Sequence, residues 1–241
     1  MRDVVDAVQS GEVEFGLLPV ENSLAGTVVA TYDALAAGDV VVVGEVVRQI
    51  RLCLLGVPGA RLEDVRTARS HPVALSQCSA FFARHPDIEA VAVYDTAGAA
   101  RDAAAAGDPA HAAIAARRAA DRYRLIVLEE DLQDRADNQT RFFIVTQTGK
   151  RRRVRGRGAT AKTALILEAD DRPGALVELL QPLADRGMNL TKLESRPGVT
   201  PWTYRFFVEF EAGNAREIRG ALTAIRERAR TCRVLGSFAT G

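Results

Sequence analysis

The sequence predicts an α/β protein in two parts, a larger N-terminal domain followed by a small βαββαβ domain. Three observations carry this reading. Short apolar, β-branched runs alternate with helical stripes as far as residue 148, mostly without tight hairpins, which indicates substantially parallel sheets. The composition then changes over Gly149 to Lys162, a basic, glycine-bearing stretch that marks a linker. Beyond it, strand-like runs enclose two helices whose apolar residues fall at i, i+3, i+4 and i+7. The division is 1–148, a linker at 149–162, and 163–241.

In chain order, Val4, Val5 and Val8 share one side of a helix that Gly11 stops, and Phe15 to Pro19 reads as a strand. Pro19-Val20-Glu21-Asn22-Ser23-Leu24 then leads into a helix with Val28, Tyr32 and Leu35 on one face. Asn22 or Ser23 is its expected cap. A strand end feeding a helix N-terminus also offers free N–H groups to an anion. Val40 to Val43 and Ile50 to Leu55 are buried strands, closed by the turn residues Pro58-Gly59. Ser70 or His71 caps the next helix, which has Pro72 in its first turn and Leu75, Cys78 and Phe82 facing inward. Gln77 sits on that helix and faces either solvent or a ligand. Ala90 to Val93 is a strand, and Asp95-Thr96 caps an alanine-rich helix over 97–106. Ala112 to Ala115 fits strand or helix equally, and Leu125 to Leu128 and Phe142 to Val145 complete the domain.

The second domain has strands at Thr163 to Ala169, Asn189 to Glu194, Tyr204 to Glu211 and Arg233 to Phe238. One helix carries Leu176, Leu179, Leu180 and Leu183, the other Ile218, Ala221, Leu222 and Ile225. These stripes place both helices on one face of a four-stranded antiparallel sheet. An open face and free edges are left to invite a second copy.

Composition narrows the function classes. With 32 basic against 31 acidic residues, no net field draws the chain to nucleic acid or to a membrane. The basic linker has no interleaved aromatics and reads as a solvated connector. Cys53, Cys78 and Cys232 lie far apart without a CxxC pair, as expected of reduced thiols in a cytoplasmic protein. No run approaches the roughly 18 apolar residues of a membrane span. His71, His85 and His111 have no metal-ligand spacing, and there is no dinucleotide fingerprint or phosphate loop, so neither metal nor cofactor is expected. Small molecules and copies of the same chain remain as partners.

The most informative stretch is Asp137-Asn138-Gln139-Thr140-Arg141-Phe142-Phe143-Ile144. It sets three neutral hydrogen-bonding side chains and a permanent cation in front of a buried strand. Arg141 pairs either with a substrate carboxylate, which its planar fork suits, or with Asp137 or Glu130.

Taken together, Pro19 to Leu24, Ser70-His71-Pro72 with Leu75, Gln77 and Cys78, and Asn138 to Phe142 resemble prephenate dehydratase in order and spacing. The second domain resembles the ACT regulatory domain of that enzyme through Arg172-Pro173-Gly174-Ala175-Leu176, Asn189 to Pro197, Trp202 and Leu235-Gly236-Ser237-Phe238. The resemblance runs from about Val5 to the C-terminus. It implies a two-lobed catalytic domain like the type II periplasmic binding proteins, joined to a ferredoxin-like βαββαβ domain. One lobe would hold residues from Arg2 to about Glu45 and from about Leu128 to Thr148, and the middle of the domain would form the other. Asn22 and Thr140 would then face Ser70, Gln77 and Thr96 across the cleft.

The resemblance further implies decarboxylative dehydration of prephenate to phenylpyruvate, without metal or cofactor, in a cytoplasmic homodimer or homotetramer regulated by L-phenylalanine. Thr140 would donate to the departing hydroxyl, helped by Gln77, and Arg141 would hold one carboxylate. Asn22, Ser23, Ser70, His71 and Thr96 would bind the rest of the dianion, with Phe142 walling the ring. Phenylalanine would be met by Gly174, Ala175 and Leu176 at a helix start, by Asn189 and Leu190, and by the strand Glu194-Ser195-Arg196-Pro197. Two departures stand out. The family's opening strand and Gly-Pro-x-Gly-Thr-Phe-Ser motif, about 50 residues within the usual size of a domain, are not in this sequence, and Leu52 stands where many relatives have histidine. Alternatives are arogenate as substrate, or a non-catalytic phenylalanine sensor built on a truncated scaffold.

Overall fold

The computed structural model describes residues 1–150, 161–198, 200–212 and 214–239. Residues 151–160 of the predicted linker lie outside them. In chain order the elements begin α1 (Arg2–Ser10), β1 (Phe15–Asn22), β2 (Gly26–Thr27), α2 (Val29–Ala37), β3 (Val40–Gln49), β4 (Cys53–Gly56) and β5 (Thr67–Ser70). There follow α3 (Pro72–Ser76), α4 (Ser79–Arg84), β6 (Glu89–Ala92), α5 (Thr96–Ala106), β7 (His111–Ala115), α6 (Arg117–Tyr123), β8 (Ile126–Glu129) and β9 (Gln139–Gln147). The C-terminal part is β10 (Ala161–Glu168), α7 (Ala175–Ala184), β11 (Leu190–Pro197), β12 (Tyr204–Ala212), α8 (Ala215–Arg226) and β13 (Thr231–Ala239).

The chain forms two compact units. The first comprises Met1–Glu21, Thr27–Val47 and Arg141–Gly241, the second Asn22–Gly26 and Arg48–Thr140.

In the first unit one sheet has the order β2-β1-β9-β3 and another the order β11-β12-β10-β13. The second is antiparallel, with β10 between β12 and β13. Helix α1 buries Val5 and Val8 and ends at Gly11, whose φ of 82° supplies the left-handed cap. Helices α7 and α8 cover one face of the antiparallel sheet through Leu179, Leu183, Ile218, Ala221 and Ile225, against Leu165, Leu167, Val208 and Phe210. The opposite face is not open, contrary to the sequence reading. Ala164, Ile166, Phe207, Leu235 and Phe238 pack into one core with Leu18, Val20, Tyr32, Val42, Phe143 and Val145.

Edge-on aromatic pairs, Tyr32 with Phe207 at 4.8 Å and Phe143 with Phe238 at 5.4 Å between centroids, lie in this core. The approach is so close at Gly236 that any Cβ would collide with the Val42 carbonyl. The physical reason is in the strands themselves: Ala164 to Leu167 is apolar on both faces, the pattern of a strand covered on both sides.

The second unit is a five-stranded sheet of order β6-β5-β7-β4-β8. Strand β5 runs parallel to β6 and β7, whereas β4 runs antiparallel to β7 and β8. The sheet is therefore mixed. Ala112 to Ala115 resolves as strand β7, fully buried between partners.

Two local expectations fail. The helix after Asn22 starts only at Val29, with Val28 at its cap position, so neither Asn22 nor Ser23 caps it. The predicted helix after Ser70 is two helices, α3 and α4, broken at Gln77-Cys78. Asp134 explains the break: its carboxylate accepts from the Ser79 amide and hydroxyl and from the Ala80 amide, and so starts α4 afresh.

Candidate active site

Within the second unit, Asn22, Gln77, Asn138 and Thr140 form one connected chain of side-chain hydrogen bonds. Asn22 Nδ2 donates to Asn138 Oδ1 at 2.8 Å and to Thr140 Oγ1 at 3.0 Å. Asn138 Nδ2 donates in turn to Gln77 Oε1 at 2.9 Å. The other end of the Asn22 amide is fixed as well, because its Oδ1 accepts from the Leu24 and Ala25 amides. Asn22 thus organises a turn rather than a helix.

Ser23 ties the same turn to the later segment. Its hydroxyl donates to the Asp137 carbonyl and accepts from the Gln139 amide. Asn138 is wholly buried, whereas Thr140, Gln77 and Asn22 are half-buried. A buried amide with both ends satisfied holds one rotamer, so this arrangement presents Thr140 Oγ1 in a fixed position.

Since Asn22 donates to that oxygen, the single hydroxyl proton of Thr140 is left for another acceptor. Asn22, Thr140 and Gln77 lie in one compact unit, hydrogen-bonded through Asn138 rather than facing one another across a gap. Asn138 belonged to the polar cluster legible in the sequence, but only its contacts reveal that it joins Gln77 to Asn22.

The remaining positions divide. Ser70 ends β5 with no exposed surface, and its hydroxyl donates to the Ile114 carbonyl at 2.6 Å. That bond ties β5 to β7. His71 caps α3, accepting the Val73 amide at Nδ1, and the ring is exposed. Thr96 opens α5, whose cap is Asp95 through a 2.6 Å bond from the Gly98 amide. Phe142 is half-buried on β9.

Arg141 is placed differently from the expectation. Its Nη1 and Nη2 donate to Glu209 Oε2 and Oε1 at 2.6 and 2.7 Å, and Nη1 also reaches Glu45 at 3.2 Å. Glu45 is bound in addition by Lys162. The carboxylates are 3% and 2% exposed and the guanidinium 13%. Burial opposes the Arg141 charge, but the paired bonds to Glu209 hold its pKa well above the ordinary arginine range. The fork that was to grip a substrate is filled by the chain's own glutamates. Neither Asp137 nor Glu130 takes it, since these pair with Arg135 and Arg117. Sequence could not reveal this, because Glu209 lies far along the chain on an unremarkable strand.

In the C-terminal domain, Gly174 adopts φ 81° and α7 begins after it with no side-chain cap, while the Ala175 amide turns back to the Arg172 carbonyl at 3.3 Å. Arg172 and Glu178 pair beside this start. Ala175 and Leu176 line a hollow of about 190 Å³ with Asp170, Trp202, Tyr204 and Arg230. Asn189 and Leu190 are exposed, and so is Ser195. Glu194 accepts from the Thr27 hydroxyl, and Arg196 pairs with Asp33 at 3.2 Å. Those two side chains are engaged by the first unit's own residues.

All three cysteines are free, Cys53 and Cys78 being buried, and burial pushes the Cys78 thiol up to about 12. Among the described residues no helix is long and apolar enough to cross a membrane, and no group of three or more His, Cys, Asp or Glu is arranged to hold a metal ion.

Comparison with known proteins bears on this geometry. The family model for prephenate dehydratase matches residues 1–150, and that for the ACT domain matches residues 163–229. The chain is 37% identical over 244 residues to arogenate dehydratase/prephenate dehydratase 2, chloroplastic, of Arabidopsis thaliana, covering 97% of this chain and 63% of that protein. It therefore spans less than two thirds of that relative's length. Among solved structures, the prephenate dehydratase of Arthrobacter aurescens in complex with L-Phe superposes with a TM-score of 0.88 at 33% identity, covering 99% of this chain and 79% of the other. GqqA, described as a novel type of quorum quenching acylase, superposes with a TM-score of 0.88 at 30% identity, covering 100% and 87%.

Proposed function

The chain belongs to the prephenate dehydratase family, and from that premise we propose that it converts prephenate to phenylpyruvate, with L-phenylalanine as regulatory ligand. In this reaction the bond to the ring carboxylate breaks, the carboxylate leaves as carbon dioxide, and the electron pair of that bond enters the ring. The C–O bond opposite breaks, and the hydroxyl departs as water on taking up a proton. Aromaticity supplies the driving force, and the protein must hold a dianion and assist the leaving group.

Thr140 is the assisting donor. A threonine hydroxyl is too weak an acid to surrender its proton, so it acts by a hydrogen bond that strengthens as charge develops on the leaving oxygen. The observation that carries this reading is the bond from Asn22 Nδ2 to Thr140 Oγ1, which leaves the hydroxyl proton as the only one the group can present outward. Gln77 and Asn138 position that donor rather than donate themselves. His71 and Thr96 remain for the carboxylates and Phe142 for the ring, while Ser23 shapes the turn.

In the C-terminal domain the Leu176 and Val177 amides, in the first turn of α7 that no side chain caps, suit the carboxylate of an amino acid. The acting form is a cytoplasmic homodimer or homotetramer. Arogenate, the amino-group analogue, is the second reading, favoured by the name of the Arabidopsis relative. An acylase would need an activated nucleophile, and the hydroxyls of Ser70 and Ser23 are instead committed to backbone partners.

The test is turnover of prephenate and of arogenate by the whole gene product, with and without L-phenylalanine, beside thermal melts. The reading expects turnover of one substrate that phenylalanine lowers. A thermal shift with phenylalanine but no turnover would indicate the sensor alone, and neither response would overturn both.

A further inference from the structure

Glu209 belongs to the C-terminal domain, yet its two carboxylate oxygens take both terminal nitrogens of Arg141, the residue that directly follows Thr140. We propose that Glu209 is a positioning residue for the reaction, acting through Arg141 on the placement of Thr140. This rests on the dehydratase reading.

Four observations support it. The contact is bidentate, so it fixes the plane of the guanidinium as well as its position. It is buried, with Glu209 2% exposed, so solvent offers Arg141 no alternative partner. Glu45 and the ring of Phe143, 5.2 Å from the guanidinium carbon, hold the same group from other sides. Consecutive residues of an extended strand point to opposite faces. A guanidinium clamped on one face of β9 therefore sets the backbone from which the Thr140 hydroxyl projects on the other.

The cluster is larger than one ion pair. Lys162 on β10 binds Glu45, and Lys192 on β11 binds Glu21 at 2.9 Å and the Thr27 hydroxyl at 2.7 Å. Both lysines lie on strands of the C-terminal sheet and both glutamates in the N-terminal part of the chain. At Glu209 the direction is reversed, with the C-terminal domain supplying the anion. Glu45 and Glu21 reach Arg141 at 3.2 and 3.5 Å, but Glu209 takes both of its terminal nitrogens at 2.6 and 2.7 Å, through a fork that tolerates little change in angle.

The experiment compares Glu209→Gln, Glu209→Asp, Arg141→Lys and the double variant Glu209→Gln/Arg141→Lys with the parent protein. In steady-state turnover of the accepted substrate, Glu209→Gln should lower kcat about 10- to 100-fold, the scale of a misplaced reacting group, with KM changed less than about threefold. Arg141→Lys should do the same, and the double variant should be no worse than either, because both act through one contact. A purely structural role would lower the yield of folded protein and leave the kcat of the folded fraction intact.

Amide hydrogen exchange over residues 138–143 gives a readout that needs no turnover. It should rise several-fold in Glu209→Gln while residues 111–115 keep the parent rate. If the parent turns over neither prephenate nor arogenate, the dehydratase reading has failed, and the exchange result alone decides whether Glu209 orders this segment. Should Glu209→Gln not fold, Glu209→Asp keeps the charge but shortens the reach and carries the same test. Unchanged kcat together with unchanged exchange in a folded variant overturns the proposal.

Discussion

Asn22 donates its side-chain amide to Oγ1 of Thr140 at 3.0 Å, joining two residues that stand 118 positions apart in the chain. The donor is an N–H and the acceptor a hydroxyl, so the polarity of this bond decides where the threonine proton goes. Asn22→Asp keeps the size and reverses the polarity. Thr140 would then turn its proton toward the new carboxylate and lose it for the substrate. We expect kcat to fall by about 100-fold, the usual cost of one transition-state donor. Steady-state kinetics on prephenate check this, with circular dichroism confirming the fold.

Asn138 is wholly buried and serves as the middle link, accepting from Asn22 and donating to Gln77. Asn138→Ala removes both bonds and leaves the Gln77 oxygen facing a void. A stability loss of about 2 kcal/mol is expected, the cost of stranding buried polar groups. Urea denaturation measures it, and a loss below about 0.5 kcal/mol would mean that the link bears no strain.

Much of this fold was legible in the sequence where local pattern and tertiary context agree. The stripes Leu176–Leu183 and Ile218–Ile225 fall on α7 and α8, and the strands between them pair antiparallel as expected. What was hidden depends on partners remote in sequence. Asn22 looked like a helix cap because its type suits one, but the turn amides of Leu24 and Ala25 claimed it first. The break after Ser76 is set by Asp134, which nothing near Gln77 announces. The covered face of the C-terminal sheet left a trace that could have been read: Ala164, Ile166 and Phe207 are apolar on the side opposite Leu165, Leu167 and Val208.

Arg141 offers a test that separates a structural role from a substrate-binding one. With Glu209 and Glu45 both nearly inaccessible, Arg141→Ala strands buried carboxylates, and a loss of about 3 kcal/mol in unfolding free energy is expected. A carboxylate-binding arginine would instead raise KM for the dianion with little effect on stability. Chemical denaturation beside a KM measurement distinguishes the two.

Asp134 makes a pH-dependent contribution. Burial disfavours its charge, yet hydrogen bonds from the Ser79 hydroxyl and from the Ala80 and Ser79 amides hold its pKa below the ordinary carboxylate value. A depressed folded-state pKa means that the stabilisation is complete above the unfolded value of about 3.9 and is lost as pH falls through the lower folded value. Asp134→Ala should therefore be less stable than the parent by about 1 kcal/mol at neutral pH, the scale of a lost helix cap at an exposed site. The gap should narrow below about pH 4. Thermal melts across that range, at fixed ionic strength, decide it.

The central claim is that the Thr140 hydroxyl, held by Asn22, assists the departure of the substrate hydroxyl. The most direct measurement is kcat on prephenate for Thr140→Ala and Thr140→Ser beside the parent protein. Thr140→Ala should lose about 100-fold or more, while Thr140→Ser, which keeps the hydroxyl, should stay within about 10-fold. A kcat for Thr140→Ala equal to that of the parent would contradict the account.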